Sequence, residues 1–319
     1  MDEFDVIDRY FKPLGDKAAN VVLGIGDDAA VLDVPPGEQI VVTTDTQVES
    51  VHFPVAADPA AIACRSCAAA LSDIAAMGAT ARWLSLALTL PRVDAAWLQG
   101  FAAGAAEAIE FAGAVLVGGD TTSGPLGVTW NIIGTVPRGG ALRRDGARPG
   151  DALYVSGSLG GARAALELLD TLADVSGSGQ AVLARYWNPQ PRLVLGSQLR
   201  GFASSCIDVS DGLLADAGHL ARRSGAGVEI ASDNLPLQAG LVELFGVERA
   251  REFALTGGDD YELCFSVPRD DEADLLRVVT QFDVPVTRIG RITRESGVRV
   301  IDCEGRPLPT NRTGYRHFD

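Results

Sequence analysis

Lysine is nearly missing from this chain of 319 residues: Lys12 and Lys17 are the only two. No G-x-x-x-x-G-K-[ST] occurs, so a P-loop is excluded, and the glycine loop and paired lysine of protein kinases are absent as well. Positive charge is short overall, with 27 Lys+Arg against 42 Asp+Glu and a formal net charge of -15. A surface so acidic repels phosphate backbones and anionic lipid, which argues against a general nucleic-acid or membrane-surface binder. No apolar run reaches the roughly 18 to 20 residues of a membrane span. The opening MDEFDVIDRYFKPLG has neither a basic n-region nor an apolar h-region, so no signal peptide is read there and a cytoplasmic protein is expected. Histidine is limited to three residues, and the five cysteines are an odd number in apolar or mixed surroundings, which disfavours a secreted disulfide framework. Cys64 and Cys67 form a C-x-x-C inside an alanine-rich helical stretch, with no second pair or nearby histidine; buried small residues are the better reading than zinc. There is no G-x-S-x-G elbow and no Cys-His pairing.

What the chain does have is apolar residues, 47% of the total, enough for a sizeable core, and a length that suits about two domains. The β-branched run Ile40 to Thr44 predicts a strand ending at Asp45, and the stretch from Pro59 to Met77 predicts a helix stopped by Gly78. ARWLSLALTLP reads as a strand, DAAWLQGFAAGAAEAIEFAG as a helix, and AVLVGGD and GVTWNIIGTVP as strands. After Pro137 a Gly- and Arg-rich stretch intervenes before a new strand at Ala152, and the boundary is placed there, giving domains 1–138 and 139–319. In the second, SSCIDVSDG ends a strand in aspartates and DGLLADAGHLARRSG is a helix. The fold class expected is mixed α/β, or α+β.

Aspartates recur where strands end. Asp27 and Asp28 follow glycines in GIGDDAAVL, Asp45 ends VVTTDT, Asp73 lies in LSDIAAMGA, and Asp120 lies in VGGDTTSG. Asp208 and Asp211 follow in IDVSDG, then Asp259, Asp260 and Glu262 in TGGDDYEL. Any one of these is ordinary turn chemistry. Gathered together, so many carboxylates would repel one another unless cations offset them, and hard oxygen donors with little histidine suit Mg2+, which usually also holds phosphates. The glycine turn SGSLGGARAALELL resembles a phosphate cradle at a helix start, but by itself it reads as mainly structural.

The segments GIGDDAAVL, TTDTQVESVHF, LSDIAAMGA, GGDTTSGP, IDVSDGLLADAGHL and TGGDDYELCF, in that order, resemble the thiamine-monophosphate kinase family. That family sits in a superfamily with aminoimidazole ribonucleotide synthetase, selenophosphate synthetase and a hydrogenase maturation factor. The resemblance runs from Phe4 to the GYRHF ending. It implies ATP-dependent phosphorylation of thiamine monophosphate to thiamine diphosphate, the last step of thiamine diphosphate biosynthesis. It also implies a homodimer formed through an N-terminal α/β domain that carries the nucleotide site, and a C-terminal α/β domain that closes over it. The implied metal ligands are Asp28, Thr43, Thr44, Asp45, Asp73, Asp120 and Asp208, with Asp211 on a further ion and several Mg2+ in all. Asp45, Asp73 and Asp120 would organise the metals at the reaction centre. Nucleotide contacts would come from Gly119, Asp120, Arg144 and Ser210, and substrate contacts from His52, Asp259 and Tyr315. Asp259 departs from the family pattern, which usually reads GGEDYEL with Glu at that place.

The expected chemistry is direct in-line transfer: a monophosphate oxygen attacks the γ-phosphorus of ATP. A phosphate monoester, with a second pKa of about 6, is already largely ionised near neutrality and needs no strong base. Three alternatives stand beside this reading. One is a sister ATP-using enzyme, although no cysteine precedes Cys64 as selenophosphate synthetase would require. The others are a non-catalytic nucleotide or thiamine-phosphate sensor and a metal-dependent phosphatase.

Overall fold

A computed structural model of the chain describes residues 3–15, 20–170, 177–281, 283–309 and 314. Helix and strand are mixed in two compact units, one made of Met1–Ile74 with Ala79–Ala141, the other of Ala75–Gly78 with Leu142–Asp319.

The first unit runs α1 (Glu3–Val6), β1 (Val21–Leu23), β2 (Val31–Leu32), β3 (Glu38–Val48), α2 (Pro59–Ala76), β4 (Thr80–Leu90), α3 (Ala95–Ala112), β5 (Val115–Ser123) and β6 (Gly127–Pro137). Its main sheet has the order β3-β6-β4-β5. All pairs are antiparallel except β4 with β5, whose parallel pairing needs a long crossover that α3 supplies. Helix α3 begins where sequence chemistry says it should: the Asp94 carboxylate accepts from the amides of Ala96 at 3.0 Å and Trp97 at 3.1 Å. It ends at Gly113 with φ 62°. Gly104 brings α3 hard against α2, since a Cβ there would lie 2.2 Å from the Ala60 carbonyl oxygen.

Alternation along the strands gives this sheet two unlike faces. Leu84, Leu86, Leu88, Val128, Trp130 and Ile132 are buried, and the Trp130 indole donates to Ser66 Oγ on α2 at 2.9 Å. The opposite face is open, with Ile40 53% and Val42 59% exposed.

The second unit runs β7 (Ala152–Ser156), α4 (Gly161–Asp170), α5 (Ser178–Trp187), α6 (Leu193–Leu199), β8 (Ser205–Asp208), α7 (Leu213–Ser224), β9 (Gly227–Ala231), α8 (Leu241–Phe245), α9 (Val247–Thr256), β10 (Leu263–Val267), α10 (Glu272–Val279), β11 (Val286–Thr293), β12 (Gly297–Ile301) and β13 (Pro307–Leu308). Its sheet has the order β13-β12-β9-β11-β7-β10-β8. Strands β7, β8 and β10 are buried at every position because helices cover both faces. Leu153 and Val155 pack with Leu213, Ala217 and Leu220 of α7, while Ala152 and Tyr154 pack with Leu195, Leu199 and Leu275 on the other side. Among the described residues, no helix is long and apolar enough to cross a membrane.

Candidate active site

In the first unit Thr43, Thr44 and Asp45 lie in the far half of β3. Residues two apart share a face, so Thr43 and Asp45 lie on the side covered by α2. There Thr43 Oγ1 donates to Asp73 Oδ2 at 2.5 Å. The hydroxyl of a strand and the carboxylate of a helix are thus joined across 30 residues of sequence. Thr44, between them, points to the open face, where Asn131 Nδ2 donates to its Oγ1 at 2.7 Å and to the Thr43 carbonyl at 3.1 Å. Asp28 lies in the exposed connection between β1 and β2, next to Asp27, whose Oδ1 accepts from the Asp28 amide at 2.9 Å.

Asp120 is exposed on β5. Register carries it through Ala87 and Thr129 to Thr46, which sets it on the open face, opposite to Asp45. Strands β3 and β5 are the two edges of the sheet, three inter-strand steps or about 14 Å apart. Gly119 has a packing reason of its own, because a Cβ there would lie 2.0 Å from the Leu86 carbonyl oxygen.

His52 follows β3 in a turn. Its amide donates to the Val48 carbonyl at 2.9 Å, and its Nδ1 accepts from the Val48 amide at 3.0 Å. An imidazole accepting at Nδ1 carries its proton at Nε2 in the neutral form, so the far nitrogen is a donor. Cys64 donates to the Gly104 carbonyl at 3.3 Å, and burial, helped by Glu107 and Asp58, pushes its thiol up to about 11. A thiol so rarely ionised is inert packing, as its alanine-rich setting suggests.

In the second unit, Asp208 ends β8 buried, and Ser210, Asp211 and Gly212 turn the chain into α7. One residue unnoticed in the sequence holds that turn. Asp216 Oδ2 accepts from the amides of Ser210 at 3.1 Å, Asp211 at 3.0 Å and Gly212 at 3.1 Å. Burial and the neighbouring carboxylates of Asp208 and Asp211 push Asp216 up to about 8 despite those three donors. Its signal was an aspartate among Leu213, Leu214, Ala217 and Leu220, on the apolar face of its helix.

A second loop lies along this turn. The Asp259 amide donates to the Ser210 carbonyl at 2.9 Å, the Tyr261 amide to the Val209 carbonyl at 2.9 Å, and the Val209 amide to the Glu262 carbonyl at 2.8 Å. Asp259 and Tyr261 both have left-handed backbones, φ 67° and 50°. For a residue as bulky as Tyr that costs on the order of 1–3 kcal/mol and persists only where the surroundings impose it. Gly314, near the C-terminus, would bring a Cβ to 2.6 Å from the Asp211 carbonyl. Tyr315, the expected substrate contact, lies outside the described residues. Arg144 is exposed, whereas its neighbour Arg143 is tied to Asp145 at 2.8 Å.

Two other acids of TGGDDYEL turn out to be internal. Glu262 is fully buried and accepts from Ser156 Oγ at 2.6 Å, Arg185 at 2.8 Å, and both Nε (2.7 Å) and Nη2 (2.6 Å) of Arg192. Asp260 accepts from the amide of Gly160 at 2.7 Å, and so occupies the glycine turn at the start of α4. Among the described residues, no group of three or more His, Cys, Asp or Glu is set to hold a metal ion. The donors that do come together, Thr43 and Asp73 with Asp45 on the same side, are all oxygens and suit a hard cation completed by water and phosphate.

Comparison with known proteins gives the class first. Residues 26–136 match the AIR synthase related protein N-terminal domain and residues 148–303 match the corresponding C-terminal domain. Within that class, thiamine-monophosphate kinase of Escherichia coli strain K12 is 42% identical over 318 residues, covering 99% of this chain and 98% of the relative. The crystal structure of thiamine-monophosphate kinase from Stenotrophomonas maltophilia K279a shares 43% identity with a TM-score of 0.89, covering 97% of this chain and 98% of that one. AaThiL complexed with AMPPCP and TMP shares 33% identity with a TM-score of 0.78, covering 99% and 97%. The chain belongs to the thiamine-monophosphate kinase family and is, with it, a phosphate-transferring enzyme.

Proposed function

We propose that the protein transfers the γ-phosphoryl group of ATP to thiamine monophosphate in one in-line step, giving thiamine diphosphate and ADP. The observation that carries this reading is the oxygen-only face of Thr43, Asp45 and Asp73, in a chain 42% identical along its length to thiamine-monophosphate kinase of Escherichia coli. The joint presence of AMPPCP and TMP in AaThiL supports a site that takes a nucleotide and the monophosphate together.

Thr43, Asp45 and Asp73 fit Mg2+, with Asp28, Thr44, Asp120, Asp208 and Asp211 as the further ligands of several ions. Mg2+ bound there supplies charge neutralisation for two anionic partners. The remaining work falls to the chain. Arg144, Ser210 and the Gly119–Asp120 segment hold the nucleotide, and the Nε2–H of His52 donates a hydrogen bond to the substrate. Asp259 faces the positive thiazolium, and Tyr315 completes the substrate contacts. The attacking oxygen, on a phosphate already ionised near neutrality, needs alignment rather than deprotonation. No nucleophilic Cys or Ser is required, which agrees with the inert thiol of Cys64.

A homodimer through the open face of the first unit is part of the proposal. Exposed Ile40 and Val42 support it, and so does the position of Asp120, on the edge strand and face opposite to those of Asp45. One sheet does not bring those two carboxylates to one ion, whereas a second copy against the open face supplies new neighbours to Asp120. Residues 1–138 then carry the dimer, metal and nucleotide functions, residues 139–319 complete the site, and the enzyme acts in the cytoplasm.

The test is incubation of purified protein with thiamine monophosphate, ATP and Mg2+, with thiamine esters separated by chromatography. Thiamine diphosphate formed in step with ADP, and lost on chelation, is the expected result. ADP or free phosphate without diphosphate would replace the kinase reading with a phosphatase or sister activity.

A further inference from the structure

Tyr261 and Asp259 are two residues apart, and the Tyr261 hydroxyl donates to Asp259 Oδ1 at 2.9 Å. The bond depends on unusual backbone: both residues have positive φ, so the loop folds back and phenol and carboxylate meet. Neither end is loose. The Tyr261 ring is buried, and the amides of both residues are bonded to the carbonyls of Val209 and Ser210, in the turn that carries Asp208 and Asp211.

We propose that Tyr261 is a positioning residue of the substrate site, its hydroxyl setting the direction in which the Asp259 carboxylate meets the cationic ring of thiamine monophosphate. The proposal rests on the function proposed above and deepens it. An aspartate has a single methylene before its carboxylate and three staggered χ1 choices, and a charge-assisted bond to a buried phenol selects one. A carboxylate has about four acceptor sites, so taking the phenolic hydrogen leaves capacity for a cation. The loop that carries the pair is itself laced to the Val209–Ser210 backbone, which fixes where the carboxylate stands.

The test is a set of four proteins: wild type, Tyr261→Phe, Asp259→Glu and the double variant. KM for thiamine monophosphate is measured at saturating ATP and Mg2+, and KM for ATP at saturating monophosphate. Removing the hydroxyl alone is expected to raise KM for the monophosphate about tenfold, in the range for losing a bond to a charged group, and to leave KM for ATP within about twofold. Glutamate, one methylene longer, carries its carboxylate past the phenol, so Tyr261→Phe in the Asp259→Glu background is expected to change KM by less than about twofold. A Tyr261→Phe enzyme with unaltered KM for the monophosphate overturns the positioning role. Equal losses in the aspartate and glutamate backgrounds overturn it too, because the hydroxyl would then support the loop rather than the carboxylate. A wild-type protein that does not phosphorylate the monophosphate overturns the proposed function together with this inference, and so is distinguished from the other failures.

Discussion

Asp260 and Gly160 are joined by a 2.7 Å hydrogen bond from the glycine amide to Oδ2, which fills the start of α4 with the protein's own carboxylate. A glycine turn that resembles a phosphate cradle is therefore closed to phosphate from inside. Burial outweighs the Gly160 and Ala162 amides and the Arg185 charge, and pushes Asp260 up to about 7 from 3.8. With its folded pKa raised, the group's contribution to stability is complete below its unfolded pKa and is lost as pH rises through about 7. A rise of that size corresponds to a few kcal/mol of folding free energy. Asp260→Asn is expected to flatten the fall in stability between about pH 4 and pH 7, the window of this titration, as read by denaturant unfolding at each pH.

Asp45→Asn is expected to lower kcat at least about 100-fold while leaving circular dichroism and melting temperature near wild type. The carboxylate shares the face of β3 on which Thr43 bonds Asp73, and on the function proposed its charge would serve a bound ion. Wild-type turnover by this variant would remove Asp45 from the metal set.

Glu262→Ala is expected to destabilise the second unit by about 3–5 kcal/mol, because Arg185 and Arg192 lose their buried counter-charge. Glu262→Gln, which keeps the shape and most hydrogen bonds, is expected to lose less. Thermal unfolding of the two variants beside wild type measures the difference, and equal losses would show that the charge is irrelevant.

Val42→Asp puts a charge on the open face of the first unit, midway along the edge strand β3, where Val42 is 59% exposed. If a second copy covers that face, the variant is expected to elute as a monomer in size-exclusion chromatography with light scattering. It is also expected to lose activity while remaining folded. A dimer of undiminished mass would place the interface elsewhere.

Much of the architecture is legible in local chemistry. The run Ile40 to Thr44 is a strand because β-branched residues suit a pleated sheet, and Asp94 and Gly113 bound α3 because each satisfies or releases the helix end it occupies. The same reading finds Asp45, Asp73 and Asp120 but sets Asp45 and Asp120 at strand ends, whereas pairing continues β3 to Val48 and β5 to Ser123 and Asp73 lies within α2; nor does it separate the three by face. Thr43 and Thr44 look alike in the string VVTTDT, yet the twofold period of the strand sends one to Asp73 and the other to Asn131.

Composition and motif order determine the class of chemistry: an acidic, lysine-poor chain with oxygen donors in a family-specific sequence, and no residue pattern for covalent catalysis. Tertiary structure alone decides which acids are internal and which stay accessible. Within TGGDDYEL, Asp260 and Glu262 turn inward to amides and arginines, while Asp259 is left half-buried against a tyrosine hydroxyl. The partners of those acids lie between 2 and about 100 residues away along the chain. Burial, hydrogen bonding and charge at that range depend on how strands and helices pack, and a local string of residues carries no record of it.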